Sequence, residues 1–472
     1  MHTFRAILAL ALASSVCADT HSGTKRILAV PRGILEQCTE QSIEISRQSD
    51  FMANQTARHL LWHATGLNSG NCVWRQGALD MVQTEQTVVV DDETAVGEPR
   101  LAALVLPTAN MLVPFSRGAP QCTSDHDRVP AGVTLSERVV CRYSQFRSSA
   151  HGLTLSLRSL IQKLQVPVVV LGIGTQVQGF LDTALPQGRE DSAPVQKYRS
   201  NARLRMEWNQ HSALEDLVLK WDQVDFLNTV KNHSRQNMAN VAVRGDVTEQ
   251  VCRNSGVSNC QSLGCPSLML SRNTALGVLL QTKWEALRRR VSEKGGSPLR
   301  LVFGMPAGWS NELAELFVSA GRAHPDFLIV LQTESDVSSV RQLRGLGLKV
   351  RDHQVKIFTS VTEWVATLAS YDLYIGARIH GGMAATAASV PAVVVATDTR
   401  IDELAKRMEI PTVREITLPK QLSLKVFLDC CVPRFNGAVF DQNRARIAKK
   451  YVHLFHALQV PLSQHVWRIS QG

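Results

Sequence analysis

Residues 372–385 read DLYIGARIHGGMAA, and this stretch decides the fold. Its first part, Leu373 to Ile375, is a short apolar run bounded by polar residues and glycine, which indicates a buried strand. The small residues from Met383 to Ser389 favour a helix. A second apolar run, VPAVVV at 390–395, comes next. The order strand, helix, strand is typical of a parallel sheet.

Charged and glycine residues occupy the corner between the first strand and the helix. Because ligands of parallel sheets bind at the carboxyl ends of the strands, we expect Arg378 and His380 at a binding edge. Gly381 and Gly382 let a ligand approach the backbone, where free amides at the start of a helix attract an anion. The guanidinium should contribute most, since a hydrogen bond to a charged group is worth about 1.5–3 kcal/mol.

A purely structural role is the alternative for this corner. Arg378 could pair with a nearby carboxylate, such as that of Asp398 or Glu403, while His380 only caps the helix. An arginine, a histidine and two glycines share one corner, however, and this grouping favours a phosphate-type site.

Two upstream blocks have a similar organisation. Residues 241–246 read VAVRGD, a short buried strand that ends at Arg244. Residues 166–176 read VPVVVLGIGTQ, a central strand followed by a glycine-containing turn. The turn lacks a further glycine at the dinucleotide-binding spacing, so it is not the Rossmann fingerprint, and tight packing alone would explain its glycines.

Together these blocks closely resemble a known family. The segments GARIHG at 376–381, VAVRGD at 241–246 and VPVVVLGIGTQ at 166–176 stand in the order found in the polysaccharide pyruvyl transferases. The resemblance implies an α/β fold with two Rossmann-like, doubly wound domains that face each other across a cleft, the GT-B-like arrangement.

The resemblance also implies an activity, the transfer of a pyruvyl group from phosphoenolpyruvate to hydroxyls of a glycan, which leaves a pyruvate ketal and phosphate. Arg244 would bind the anionic donor opposite Arg378, with Gly381 and Gly382 beside it. His380 would act as acid and base, because a reference pKa of about 6.5 suits proton transfer near neutrality, or would only bind phosphate.

Two further sets of candidates surround these residues. The turn after the central strand is expected to face the cleft and to contact acceptor or donor through Gly174, Thr175 or Gln176. A supporting set is expected to position Arg378 without taking part in the chemistry; it consists of Asp398, Arg400 and Glu403.

The chain divides into four predicted parts. Residues 1–18 have an apolar centre and a small-residue cleavage site, as in a signal peptide. Residues 25–294 form an N-terminal, acceptor-side domain with a loop insertion at about 180–201. A glycine-rich break precedes the C-terminal, donor-side domain at 298–442, and the helical tail 443–472 packs back on the first domain.

Composition limits the classes of partner. The net charge of +10 is spread along the chain and fits anionic small substrates or acidic glycans. The sequence contains no Lys/Arg block with interleaved aromatic residues, so we expect no nucleic-acid binding. No pair of cysteines has Cys-x-x-Cys spacing and the histidines are scattered, so we expect no metal site. We expect no cofactor either.

The predicted compartment leaves two other functions open. A cleaved signal peptide and no later membrane-spanning stretch predict a protein of the secretory pathway, or of the periplasm in a bacterial host. Phosphoenolpyruvate is chiefly cytosolic, so a non-catalytic secreted glycan-binding protein is one alternative. A GT-B glycosyltransferase with a nucleotide-sugar donor is the other, because the same fold and phosphate corner serve both.

Overall fold

The structure is a computed structural model of the chain. It describes residues 27–31, 69–82, 87–90, 101–108, 112, 114–116, 157–175, 214–234, 238–293, 297–306, 310–333, 336–358, 360–420, 422–460 and 462–472. The predicted signal peptide 1–18, Gln176, the loop 180–201 and the glycine pair at 295–296 lie outside these residues.

The first half of the molecule is built on a six-stranded parallel sheet with the order β2-β1-β3-β5-β7-β8. An antiparallel pair, β4 and β6, lies apart from it. The strands are β1 (Ile27–Pro31), β2 (Thr87–Val90), β3 (Leu101–Pro107), β4 (Pro114–Ser116), β5 (Val168–Ile173), β6 (Leu217–Leu219), β7 (Val241–Val243) and β8 (Cys260–Ser262). Every residue of β5 is buried, as its continuous apolar run predicts.

The second half has its own six-stranded parallel sheet, with the order β11-β10-β9-β12-β13-β14. Its strands are β9 (Leu301–Gly304), β10 (Phe327–Leu331), β11 (Val355–Ile357), β12 (Leu373–Gly376), β13 (Ala392–Ala396) and β14 (Thr412–Arg414). In sequence order this is the 3-2-1-4-5-6 arrangement of a Rossmann fold, in which ligands bind beyond the carboxyl ends of the central strands. The predicted GT-B-like fold of two doubly wound halves is confirmed.

Helices connect these strands. They are α1 (Gly70–Met81), α2 (Trp221–Asn232), α3 (Asp246–Asn254), α4 (Leu276–Ser292), α5 (Asn311–Ala323), α6 (Asp336–Gly345), α7 (Val361–Leu368), α8 (Ile379–Ala387), α9 (Thr399–Arg407), α10 (Gly437–Ala457) and α11 (Gln464–Ser470). Polar side chains begin several of them. Ser310 accepts a hydrogen bond from Leu313 N at 3.2 Å, and Asp398 accepts one from Ile401 N at 3.1 Å.

One of the three buried apolar clusters among the described residues includes residues of both halves. Trp74 on α1 and Leu171 on β5 belong to the same buried cluster as Met383 on α8 and Val394 on β13. Helix α1 of the first half packs directly against α8 of the second. The corner at the start of α8 therefore lies at a packed junction between the halves.

The C-terminal helices strengthen this junction. Arg444 on α10 is buried and donates to Leu268 O at 3.0 Å, to Asn273 O at 2.5 Å and to Ser271 O. Ahead of α11, Ser463 N donates to Met81 O at 2.8 Å. The C-terminal segment thus contacts both the end of α1 and the loop that follows β8.

A disulfide joins Cys252, in the last turn of α3, to Cys260, the first residue of β8. The sequence alone left the cysteine pairing open. The disulfide fixes the far end of α3, whose N-terminus meets the second half of the molecule.

None of the helices in the described part of the chain has the length and apolar character of a membrane-spanning segment.

Candidate active site

Arg378 lies between β12 and α8, at the carboxyl edge of the second sheet. Its Nε donates to Met305 O at 3.1 Å, and its Nη2 donates to Thr333 Oγ1 at 2.8 Å and to the Asp336 carboxylate. Met305 follows β9, the neighbour of β12, and Thr333 and Asp336 follow β10, on the other side of β9. The Arg378 side chain is 20% exposed, whereas that of Asp336 is 0% exposed. One edge of a rigidly held guanidinium therefore remains accessible.

Asp336 determines the orientation of this arginine. Its carboxylate also accepts hydrogen bonds from Gln332 N at 2.8 Å, Thr333 N at 3.0 Å and Thr333 Oγ1 at 2.7 Å. The prediction that Asp398, Arg400 and Glu403 position Arg378 is wrong, because Asp336 occupies that place. The Thr-x-x-Asp pattern of residues 333–336 predicts a helix start, but it does not indicate that Asp336 contacts Arg378.

Tyr374 holds the backbone of the same corner. Its hydroxyl donates to Arg378 O at 2.8 Å, and its ring is completely buried. A Cβ atom placed on Gly381 would lie 2.7 Å from Tyr374 Cζ, and one on Gly382 would lie 2.8 Å from a methyl group of Val394. These glycines are thus required for packing.

The amides of Gly381 and Gly382 are not free to bind the donor, contrary to the prediction from the sequence. Their amides donate to Arg378 O at 3.1 and 3.3 Å and so are already engaged. The amides that a helix start leaves without an internal acceptor belong to the two preceding residues, Ile379 and His380. An anion beside Arg378 would meet those.

Arg244 comes from the first half, at the end of β7. It is 7% exposed, and its side chain lies directly against the backbone of Gly174, where a Cβ atom would collide with the guanidinium. Burial lowers the pKa of Arg244 to about 10, while the neighbouring Glu403 carboxylate opposes the shift. The guanidinium therefore keeps its charge at neutral pH. Gly174 therefore packs against the Arg244 side chain, and a larger residue at position 174 would displace it.

Glu403 reaches from α9 to the N-terminus of α3 in the other half. Its carboxylate accepts hydrogen bonds from Thr248 N at 3.2 Å and Thr248 Oγ1 at 3.0 Å. The hydroxyl oxygens of Thr248 and Thr175 are 3.1 Å apart, and Thr175 N donates to Thr248 Oγ1 at 3.2 Å. A hydrogen-bonded chain therefore runs from the end of β5 to α9. Thr175 is buried in this chain and is not the cleft contact that the sequence predicted.

Asp398 and Arg400 stand on the Arg244 side of the site. Arg400 donates to the Asp398 carboxylate from Nε at 2.9 Å and from Nη2 at 2.5 Å. Of the two, Arg400 lowers the pKa of Arg244 and Asp398 raises it, so both act on that guanidinium. The charges of Asp398, Arg400 and Glu403, the supporting set inferred from the sequence, thus act on Arg244.

His380 lies where the two halves meet. Burial lowers its pKa to about 3, and the positive charges of Arg244 and Arg378 contribute to this shift. The charges of both arginines therefore act on the His380 imidazole. With its pKa at about 3 the imidazole is neutral at pH 7, so the titration near neutrality that the sequence predicted does not hold.

Glu403 leads to a prediction about pH and stability. Burial raises its pKa to about 7, against the influence of Arg244 and the hydrogen bonds from Thr248. Its contribution to stability is then complete below the unfolded-state pKa of about 4.3 and is lost as pH rises towards 7. We expect the unfolding free energy of the wild type, relative to Glu403→Gln, to fall by about 3 kcal/mol between pH 4.5 and 7.5.

Urea unfolding at several pH values measures this difference directly. Glu315, which is exposed on α5, provides a matched control, and Glu315→Gln should show no such trend. A wild-type advantage over Glu403→Gln that stays constant across this pH range would contradict the assignment.

The described residues contain no group of three metal-ligating side chains.

The sequence model of the polysaccharide pyruvyl transferase family matches residues 144–399, more than half of the 472-residue chain. None of the curated proteins is significantly similar to the chain in sequence.

Solved structures show distant similarity. A variant of the wall teichoic acid polymerase TagF is 9% identical with a TM-score of 0.29, over 95% of this chain and 88% of that chain. UDP-GlcNAc 2-epimerase from Neisseria meningitidis bound to UDP-GlcNAc is 10% identical with a TM-score of 0.23, over 94% of this chain and 98% of that chain. Similarity at this level carries no argument about function.

The family match covers the residues that the geometry brings together. Arg244, Arg378 and His380 all fall within the matched segment, and so does Asp336, which holds Arg378. This transferase belongs to the polysaccharide pyruvyl transferase family.

Proposed function

We infer that the protein moves a pyruvyl group from phosphoenolpyruvate to two hydroxyls of a glycan sugar and forms a pyruvate ketal. The observation that supports this inference is that the charges of Arg244 and Arg378, one from each half of the molecule, both lower the pKa of His380. Phosphoenolpyruvate carries a phosphate and a carboxylate. Two fixed guanidinium groups match a small donor with this charge.

The chemistry requires two proton transfers. One sugar hydroxyl adds to C2 of the donor while a proton is added to the methylene carbon, which becomes a methyl group. The second hydroxyl then displaces phosphate from C2, and its proton leaves with the phosphate. Both C–O bonds of the ketal are accounted for, and no oxidant or reductant is needed.

His380 is the group that we assign to proton transfer. A bound dianion offsets the charges of Arg244 and Arg378, so the pKa of His380 rises and the imidazole takes up a proton. It delivers this proton to the methylene carbon, and the neutral imidazole then accepts the proton of the attacking hydroxyl. Arg244 and Arg378 stabilise the charge on the departing phosphate.

This assignment predicts that donor binding is coupled to proton uptake. Because the pKa of His380 starts at about 3 and rises when an anion neutralises Arg244 and Arg378, the complex takes up protons at neutral pH. Calorimetric titration with phosphoenolpyruvate in two buffers of different ionisation enthalpy measures the number of protons. Uptake should be lost in His380→Asn, and equal uptake in both proteins would rule out this role.

The proposed activity itself is tested with a panel of glycans that end in galactose, mannose or glucuronate. The protein, phosphoenolpyruvate and the correct acceptor should release phosphate and give an acceptor with the mass of a pyruvate ketal. Protection of the protein against thermal unfolding by a nucleotide, but not by phosphoenolpyruvate, would instead favour the nucleotide-sugar alternative.

A further inference from the structure

The N-terminus of α1 lies against the loop that holds Arg378. Ser69, immediately before the helix, donates its backbone N–H to Gln332 O at 2.9 Å. The next residue of that loop is Thr333, whose hydroxyl accepts the hydrogen bond from Arg378 Nη2 at 2.8 Å. The start of α1 and the Arg378 guanidinium are thus separated by one short loop segment.

Three side chains at this place have polar atoms without a partner. Within the described part of the chain, no hydrogen bond reaches Ser69 Oγ, Asn71 Oδ1 or Gln332 Nε2, although all three atoms are buried. Ser69 is 0% exposed and Gln332 is 1% exposed. Native proteins rarely bury polar groups without partners, and such groups call for a ligand, water or ion that satisfies them.

The local backbone explains why Ser69 does not satisfy itself. A serine at the N-cap usually adopts an extended conformation and accepts a hydrogen bond from an amide of the first turn. Here Ser69 is helical, with φ −63° and ψ −22°, and its side chain caps nothing. The first turn of α1 also contains no acidic side chain that could complement the helix dipole.

We propose that the side chains of Ser69, Asn71 and Gln332, at the start of α1, bind a carboxylate group beside the Arg378 site. The hydroxyl of Ser69 and the side-chain amide of Gln332 donate to such a group. The set contains no cation, which suits a single negative charge better than a phosphate dianion. Rotation of the unbonded Asn71 amide exchanges its oxygen for a further N–H donor.

The carboxylate can come from two molecules. The first is the donor itself, an assignment that rests on the proposed function: phosphate would lie at Arg244, Arg378 and His380, and the carboxylate at α1. The second is a uronic acid in the acceptor glycan. Both present the same chemical group to the same hydrogen-bond donors of the protein. The two sources differ in whether a mutation weakens the binding of phosphoenolpyruvate or that of the glycan.

The experiment compares ligands that differ only in the carboxylate. Vinyl phosphate is phosphoenolpyruvate without that group. Gln332→Glu places a negative charge in the site and should weaken phosphoenolpyruvate binding at least 10-fold, while the affinities for vinyl phosphate and inorganic phosphate stay the same. Gln342→Glu, an exposed position on α6, makes the same charge change and should have no effect.

Ser69→Ala keeps the test valid if the buried glutamate prevents folding. The Ser69 hydroxyl has no partner in the described structure, so its removal should leave the melting temperature unchanged or higher. Phosphoenolpyruvate binding should still fall about fivefold, the loss expected for one hydrogen bond. A variant that is as stable as the wild type but binds more weakly cannot be explained by a structural role.

The outcomes separate the two sources and the two proposals. Weaker phosphoenolpyruvate binding with unchanged vinyl phosphate binding supports the donor as the source. Weaker binding of glucuronate-terminated glycans alone, with galactose-terminated glycans unaffected, supports the acceptor as the source. If neither ligand is affected by either substitution, the carboxylate site is disproved. A wild-type protein that fails to bind phosphoenolpyruvate but discriminates glucuronate overturns only the proposed function.

Discussion

Arg378→Lys is expected to lower kcat/KM for phosphoenolpyruvate about 10- to 150-fold. Three partners, Met305 O, Thr333 and Asp336, fix the guanidinium through Nε and Nη2, and this leaves its other edge for the ligand. Lysine carries the same charge but cannot bind this set with one ammonium group. Loss of a hydrogen bond to a charged group costs about 1.5–3 kcal/mol, and each 1.4 kcal/mol is about tenfold.

Steady-state phosphate release measures this effect. Arg288 on α4 provides the matched control, because it is another hydrogen-bonded arginine, whose partners in the second half are Leu428 O at 2.6 Å and Val432 O at 3.2 Å. Arg288→Lys should leave kcat/KM within about twofold, since Arg288 does not belong to the proposed site. Wild-type activity in Arg378→Lys would show that the activity does not require an oriented guanidinium.

Gly381→Ala is expected to destabilise the protein and to remove most activity. Glycine inside a helix normally disfavours folding by about 0.5–1 kcal/mol relative to alanine, so this substitution would ordinarily stabilise. Here the added Cβ would lie 2.7 Å from Tyr374 Cζ and 2.8 Å from Cε2, closer than carbon atoms can pack. We expect a net loss of about 1–3 kcal/mol, the usual cost of overpacking.

Activity should fall as well, because a displaced Tyr374 loses its hydrogen bond to Arg378 O and the corner shifts. The control is Gly345→Ala at the end of α6, where a Cβ would meet nothing within 4 Å. That variant should be as stable as the wild type or more so, with normal activity. Thermal unfolding and phosphate release distinguish the two, and equal stability of both variants would contradict the packing account.

The sequence was sufficient for the fold around the corner. The apolar run of β12, the small residues of α8 and the β-branched run of β13 each have one physical interpretation in a parallel sheet. Arg378 and His380 follow from their position at the strand end. Arg244 likewise ends a short apolar run, and its predicted role opposite Arg378 came from the resemblance to the family.

The supporting residues could not be assigned in the same way. Asp336 is 42 residues before Arg378, and only the neighbouring positions of β10, β9 and β12 in the sheet bring the two together. Glu403 follows Arg378 closely in sequence, yet it crosses the junction to Thr248, 155 residues away. Local patterns identify a strand end, but they do not show which of several nearby carboxylates contacts it.

The functions of the glycines and of His380 depended on packing for similar reasons. A Gly-Gly pair at a helix start suits close approach by a ligand or by a neighbouring side chain, and the sequence does not say which. The side chain is Tyr374 for Gly381 and Val394 for Gly382. The low pKa of His380 arises from burial and from two arginines that only the tertiary structure places beside it.

The most direct test of the central claim is the affinity and stoichiometry of phosphoenolpyruvate binding in Arg244→Ala and in Arg378→Ala, measured by calorimetry on folded protein. If both halves supply one donor site, the wild type binds one molecule per chain, and each substitution weakens that binding at least 10-fold. Wild-type affinity in either variant would show that the two arginines do not share a ligand.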